Sequence, residues 1–219
     1  MEHKIHEISA GHLTLNKVWE ILRGNYHLHL GEESRNRIVR CREYLDKKIA
    51  NSDVPVYGVT TGFGSLCNIS IDSEQLSQLQ INLMMSHACG VGERVPNEIV
   101  KLMILLKIQS LSYGFSAIKL DTVERLIDFF NNDVYPVVYM QGSVGSSGDL
   151  VPLAHLTLPL VGLGEVEYKG EIISGKELLK RMGWSPIKLA SKEGLALLNG
   201  TQNMAAFCCW SIIQATKLS

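Results

Sequence analysis

The sequence predicts a mainly α fold with minor β structure. Three observations carry that expectation. Apolar residues recur at three- and four-residue spacing over most of the chain. Loops marked by glycine separate these helical stretches. Apolar–polar alternation around a turn signal marks one clear hairpin candidate, 166–173. With 219 residues, 46% of them hydrophobic, the chain has ample apolar material for one large domain or two small ones.

The elements follow in order. Residues 13–22 place Leu15, Val18, Ile21 and Leu22 at helical spacing. Residues 34–49 are charged with a thin apolar stripe of Ile38, Cys41, Tyr44, Leu45 and Ile49, which predicts a surface helix. Residues 73–88 repeat Leu76, Leu79, Leu83 and Met84. Val95-Pro96 marks a helix start, because proline tolerates the first turn, and that helix runs to about Ser112. Asp121 is an N-cap candidate for a helix over 121–131, striped by Val123, Leu126, Ile127 and Phe130. Residues 166–173 predict a hairpin around Lys169-Gly170. From 189 onward the pattern is helical and strongly apolar, with a pause at Asn199-Gly200.

Charge and composition exclude several roles. The chain carries 21 basic and 22 acidic side chains, a net charge of −1, so no global field favours nucleic acid or an anionic membrane. Residues 1–10 lack the apolar core of a signal peptide. The longest apolar stretch, 150–164, is interrupted by Pro152, His155 and Pro159 and is too short to span a bilayer. The five cysteines, Cys41, Cys67, Cys89, Cys208 and Cys209, show no CxxC spacing. They predict reduced thiols, no metal site and a cytoplasmic protein. His27-Leu28-His29 would face one side if extended, but no carboxylate is placed to complete a metal site. No repeat or low-complexity tract is present.

Three glycine clusters stand out: Tyr57-Gly58-Val59-Thr60-Thr61-Gly62-Phe63-Gly64, Cys89-Gly90-Val91-Gly92 and Gly142-Ser143-Val144-Gly145-Ser146-Ser147-Gly148-Asp149. Taken singly, each is explained by a tight turn between helices. The third contains no lysine for a phosphate loop. Its GxxGxxG spacing also misses the dinucleotide fingerprint, and its Gly145-Ser146-Ser147-Gly148 is one residue short of a nucleophile elbow. Ser147, Asp149 and His155 lie too close in sequence to be read as a triad, which rests on geometry.

Another chemistry suits this run. In a constrained turn the Gly148 amide nitrogen can attack the Ser146 carbonyl carbon, since glycine has no Cβ to block the approach. Loss of water closes a five-membered imidazolone. Loss of a second water from Ser147 leaves a conjugated exocyclic methylene. The product is an electrophile built from backbone, able to accept an amine.

The segment from Gly142 to Leu150 resembles the cofactor-forming segment of the aromatic amino acid ammonia-lyase and aminomutase family, which includes histidine ammonia-lyase. There an Ala-Ser-Gly triplet becomes 4-methylidene-imidazol-5-one (MIO); here the first residue is Ser146, whose backbone carbonyl alone enters the ring. Three collinear segments agree. Residues 57–64 resemble the family's tyrosine loop. Asn82-Leu83-Met84-Met85-Ser86-His87-Ala88 with Gly90-Val91-Gly92-Glu93 resembles its substrate-selecting helix. Lys192-Glu193-Gly194-Leu195-Ala196-Leu197-Leu198-Asn199-Gly200-Thr201-Gln202 resembles its asparagine motif.

The resemblance implies roles and an architecture. Residues 1–190 are expected to form the N-terminal domain of the histidine/phenylalanine ammonia-lyase-like fold, with 191–219 beginning a central helical bundle. Ser146, Ser147 and Gly148 would form MIO, with no metal or nucleotide. Tyr57 would be the general base for a β-proton, its phenol activated by its surroundings. His87 would recognise the substrate ring, Asn199 the ring cofactor or the substrate's polar end, and Gly64 and Leu150 would line the pocket. Asp149 would orient the cyclising backbone, while His155 and Cys89 pack structurally. Ser86-His87 resembles histidine enzymes, whereas Thr60 is closer to phenylalanine and tyrosine enzymes. A polar contact rejects analogues lacking it, so phenylalanine is least favoured.

The implied activity is elimination of ammonia from histidine by a cytoplasmic homotetramer. Tyrosine ammonia-lyase or 2,3-aminomutase activity is the alternative. An inactive fragment or non-catalytic helical module is the alternative of another class. Family enzymes are more than twice this length, and their carboxylate-binding arginine cannot be placed here.

Overall fold

The computed structural model describes residues 3–51, 56, 58, 59, 61 and 73–218. The chain enters through β1 (Lys4–Ile8), passes through α1 (Leu15–Arg23) and returns in β2 (Tyr26–Leu30), which pairs parallel with β1 from Lys4↔Tyr26 to Ile8↔Leu30. Thr14 caps α1 through its hydroxyl, which accepts from Lys17 N at 3.3 Å. Ile8, Leu28 and Leu30 turn into the core. The Asn131 side chain holds the free edge of β2, accepting from Leu28 N at 2.7 Å and donating to Leu28 O at 3.0 Å.

Helix α2 (Glu32–Ala50) begins with Glu32 and Glu33 and ends with Lys47 and Lys48, a distribution that complements the helix dipole. Its inner face differs from the expected stripe. Tyr44 is exposed, and Arg42 is buried instead. The Arg42 guanidinium donates to Ala117 O and Ser191 O, both at 2.8 Å, and pairs with Asp46. It ties α2 to two distant loops.

Helix α3 (Ser73–His87) leads into β3 (Val91–Arg94) and then α4 (Asn97–Ser112). Pro96 stands at the N-cap of α4, one residue before the first helical turn. Eleven of the sixteen residues of α4 are buried, so this helix is surrounded on nearly every side. Helix α5 (Leu120–Asn131) packs on it with Val123, Leu126, Ile127 and Phe130 inward. The expected cap is corrected here: Lys119 holds the N-cap without a side-chain bond, and Asp121 lies inside the first turn. Its carboxylate meets the Lys119 ammonium at 3.3 Å instead.

Strands β4 (Tyr135–Pro136) and β5 (Tyr139–Gln141) precede α6 (Leu150–Thr157), which continues into a 3₁₀ turn, Leu158–Val161. Strands β6 (Glu165–Tyr168) and β7 (Glu171–Ser174) form the expected hairpin. Lys169 and Gly170 take φ of 53° and 81°, the pair of positive values that a two-residue turn matched to strand twist requires. Helix α7 (Gly175–Met182) follows, capped by Ser174 and closed by Gly183. The final apolar region is not helical from 189; α8 (Glu193–Leu198) starts four residues later, where the buried Glu193 carboxylate accepts Lys119 N at 2.9 Å, Thr122 Oγ1 at 2.8 Å and Ala190 N at 2.6 Å. After the pause at Asn199-Gly200, α9 (Gln202–Leu218) packs along α4. Among the described residues no helix is long and apolar enough to cross a membrane.

One buried charge lies inside this core. Lys107 on α4 is 1% exposed, and burial pulls its ammonium from 10.5 down to about 7. Between those values the unfolded chain keeps a proton that the folded chain has released, so stability rises with pH across this window. Below pH 7 the full penalty of a buried charge remains. Urea unfolding of wild type and Lys107→Met at pH 7 and pH 10 reads this directly. The wild type gains on the variant by about 1.4 kcal/mol per pH unit in that interval. A difference independent of pH contradicts a depressed lysine.

Candidate active site

The loop between β5 and α6 is exposed through Ser146 and Ser147 and becomes fully buried at Asp149. Asp149 anchors it. Its Oδ1 accepts from Ser143 Oγ at 2.9 Å and its Oδ2 accepts from Met204 N at 2.9 Å. Met204 lies in the first turn of α9, where unpaired amides and the helix dipole favour a carboxylate. The backbone N–H of Asp149 also donates to Gly200 O at 2.7 Å. One aspartate therefore joins the start of α6 to the start of α9.

Gly148 is pressed against this junction. Its φ is +115°, and a Cβ placed there would lie 2.6 Å from Gly200 O and 3.2 Å from Gly200 N. Only glycine fits such a cradle without displacing backbone. The Asn199 side-chain amide donates to Ser147 O at 3.3 Å. The triplet expected to cyclise thus has a glycine held tightly at its third position and a hydrogen-bond donor on its second carbonyl. The residues present fit a ring built from Ser146, Ser147 and Gly148. Leu150, the first residue of α6, is half-buried and packs against the core.

The second glycine cluster meets the third across the β3–β5 ribbon, where Val91 pairs with Gln141 and Arg94 with Tyr139. A Cβ on Gly142 would lie 3.2 Å from Gly90 Cα. Gly90 N donates to His155 Nε2 at 3.0 Å, and the His155 ring stands edge-on to Tyr139 at 5.1 Å. Burial lowers the His155 pKa, which favours the neutral ring that an accepting nitrogen needs. His155 and Asp149 are each engaged elsewhere, so they form no relay to Ser147. Cys89 is exposed rather than packed.

His87 ends α3, half-buried. Its Nδ1 lies 2.8 Å from Leu83 O and 3.2 Å from Ser86 Oγ. Donation from Nδ1 to that carbonyl leaves Nε2 as an acceptor, with no partner among the described residues. The helix itself is fixed from the far side: Gln80 Oε1 accepts from Gly194 N at 2.9 Å, joining α3 to α8.

Tyr57, Thr60 and Gly64 lie outside the described residues. Their neighbour Val59 is buried against Leu45 and Ala117, and Gly58 N donates to Thr61 Oγ1 at 3.2 Å. Among the described residues no three His, Cys, Asp or Glu side chains gather as a metal site.

Sequence reasoning missed Lys107, whose ammonium donates to Asn199 O at 3.1 Å. The available signal was a lysine enclosed in the apolar run Leu102-Met103-Ile104-Leu105-Leu106-Lys107-Ile108. It also missed Ser143, one of the Asp149 partners.

Removing the clamp has a defined consequence. Asp149→Ala strands the Ser143 hydroxyl and the Met204 amide and lowers stability by about 2–4 kcal/mol, while Asp149→Asn loses about half as much. Urea denaturation measures both. A loss below about 1 kcal/mol for the alanine variant shows that the carboxylate is not the clamp.

Known proteins resemble this chain in sequence and fold. The sequence profile described as aromatic amino acid lyase matches residues 13–219. The chain is 46% identical to histidine ammonia-lyase 2 of Fusobacterium nucleatum over 98% of its own length and 42% of that relative. The solved histidine ammonia-lyase from Trypanosoma cruzi superposes with a TM-score of 0.88 at 33% identity, covering 98% of this chain and 41% of that one. The phenylalanine aminomutase of Pantoea agglomerans superposes with a TM-score of 0.90 at 32% identity, over 98% and 41% of the two chains. The chain spans about two fifths of the length of the curated relatives it matches, such as 42% of the first. It has the histidine/phenylalanine ammonia-lyase fold, and a profile match over nearly its whole length places it in the aromatic amino acid lyase family.

Proposed function

We propose that this chain carries the electrophile-forming and ring-selecting part of a histidine ammonia-lyase, which eliminates ammonia from L-histidine to give urocanate. The observation that carries the reading is the Gly148 turn. It is seated on the Gly200 carbonyl, with the Asn199 amide on Ser147 O. The histidine ammonia-lyases among the relatives support the substrate class.

In this reading Ser146, Ser147 and Gly148 form MIO, with Ser147 supplying the reactive carbon. That group, once formed, supplies an electrophilic methylidene carbon for the substrate amine. Asn199 donates to Ser147 O and draws electron density from the same conjugated system. His87, donating Nδ1–H to Leu83 O, offers Nε2 to the imidazole N–H of the substrate. Tyr57 removes the β-proton, and Gly64 and Leu150 wall the pocket. Asp149 holds the turn through Ser143 and Met204.

The reading includes a cytoplasmic homo-oligomer, a tetramer as the family resemblance implies. Exposed apolar side chains on the site's own segments, at Met85, Val91, Met140, Val144 and Met204, support further burial by other chain. Residues 1–190 form the N-terminal domain and 191–219 start the central bundle. The fold is shared with a phenylalanine aminomutase, so a 2,3-aminomutase acting on tyrosine is the second reading.

Product analysis separates them. Incubation with L-histidine is expected to yield urocanate and ammonia in equal amounts; accumulation of a β-amino acid from L-tyrosine overturns the assignment. In an active chain His87→Leu lowers kcat/KM for histidine by about 10²-fold or more, because the substrate N–H loses its acceptor. A value within twofold of wild type removes His87 from ring recognition.

A further inference from the structure

Lys107 is one of the largest fully buried side chains among the described residues, and it is the charged one in a group otherwise made of Phe, Ile, Leu and Met. Its single acceptor among the described residues is Asn199 O, at 3.1 Å. A buried charge with so little compensation weakens a fold, and an apolar side chain of similar length commonly packs in its place with no loss. Stability therefore gives no reason for a lysine here.

The peptide that Lys107 grips joins Asn199 to Gly200. Its two ends both close on the same turn. The Asn199 side chain donates to Ser147 O at 3.3 Å, and Gly200 O accepts from Asp149 N at 2.7 Å. Gly200 O is also the wall against which Gly148 rests. Moving this peptide would release Ser147 and Gly148 together.

We propose that Lys107 is the positioning residue for ring closure: its ammonium fixes the Asn199–Gly200 peptide, which in turn holds Gly148 N against the Ser146 carbonyl carbon. This rests on the reading that the triplet cyclises. The step balances without an oxidant. The Gly148 N–Ser146 C bond forms. The Ser146 carbonyl oxygen leaves as water with the amide protons of Gly148 and Ser147, giving a C=N bond. Ser147 then loses its hydroxyl and its α-proton as a second water, giving the exocyclic C=C bond. Lys107 keeps its bond to Asn199 O although it is 1% exposed and burial disfavours its charge.

The test is intact mass of the full chain, followed over time after synthesis, for wild type, Lys107→Met and Lys107→Gln, with urea stability in parallel. The wild type loses two waters, about 36 Da. Lys107→Met is expected to close the ring at least about tenfold more slowly while equalling or exceeding wild-type stability at pH 7. Lys107→Gln, which keeps a neutral donor, recovers part of the rate. A methionine variant that matures at the wild-type rate overturns the proposal. So does one that unfolds, since the lysine then serves the fold. A wild type that never loses two waters overturns the cyclisation reading itself, and does so in the parent chain before any variant is compared.

Discussion

The carbonyl oxygen of Gly200 sets how closely two separate parts of the chain can approach. It accepts the Asp149 amide at 2.7 Å, and it stands where a Cβ on residue 148 would have to go. The preceding peptide is held by Lys107 from within α4, and the following helix offers its Met204 amide to the Asp149 carboxylate. The loop of 142–149 is therefore specified by α4 and α9 rather than by its own composition. Five glycine-flanked residues could adopt many turns in isolation. Here one arrangement satisfies the buried Asp149 on both oxygens, and the alternatives leave a carboxylate unpaired in the core.

The rest of the architecture supports that junction. The buried α4 carries α9 and α5 on its flanks. Arg42 and Glu193, both buried, cross-link the loops around residues 117–119 and 190–193. These contacts fix the approach to α8, and α8 in turn receives α3 through Gln80 and Gly194. His87 and Asn199 sit at the ends of α3 and α8, so the two side chains are placed by helices that are themselves bonded together. A site built on helix ends of this kind is more precise than one carried by free loops.

Much of this was legible in the chain. Helical periodicity located α1 to α5, and the Asn199-Gly200 pause marked the break between α8 and α9. The Lys169-Gly170 turn was readable because few residue pairs accept two positive φ values. The need for glycine at 148 was readable as a tight turn, and the structure shows its reason in the Gly200 carbonyl 2.6 Å from where a Cβ would stand. Other features were hidden for physical reasons. The parallel pairing of β1 with β2 leaves no local turn signature. Lys107 was overlooked because a lysine in a helix defaults to the solvated face, and its burial is a tertiary feature that local periodicity does not carry. The Asp121 cap failed because Lys119 takes the capping backbone geometry two residues earlier. Tyr57 and Gly64 lie outside the described residues, so their roles rest on the resemblance of their loop.

The join between Asp149 and Met204 also sets an order of events. The two residues are 55 positions apart, and the bond between them requires the first turn of α9 to be in place. On the ribosome the cyclising triplet emerges well before the segment that shapes it. At ordinary rates of synthesis, about 5–20 residues per second, the intervening chain takes seconds to appear. Until then the Asp149 carboxylate has no Met204 amide to accept from. On the proposed reading, ring closure at this site waits on a distant tertiary contact, so a misfolded or prematurely terminated chain would carry no electrophile.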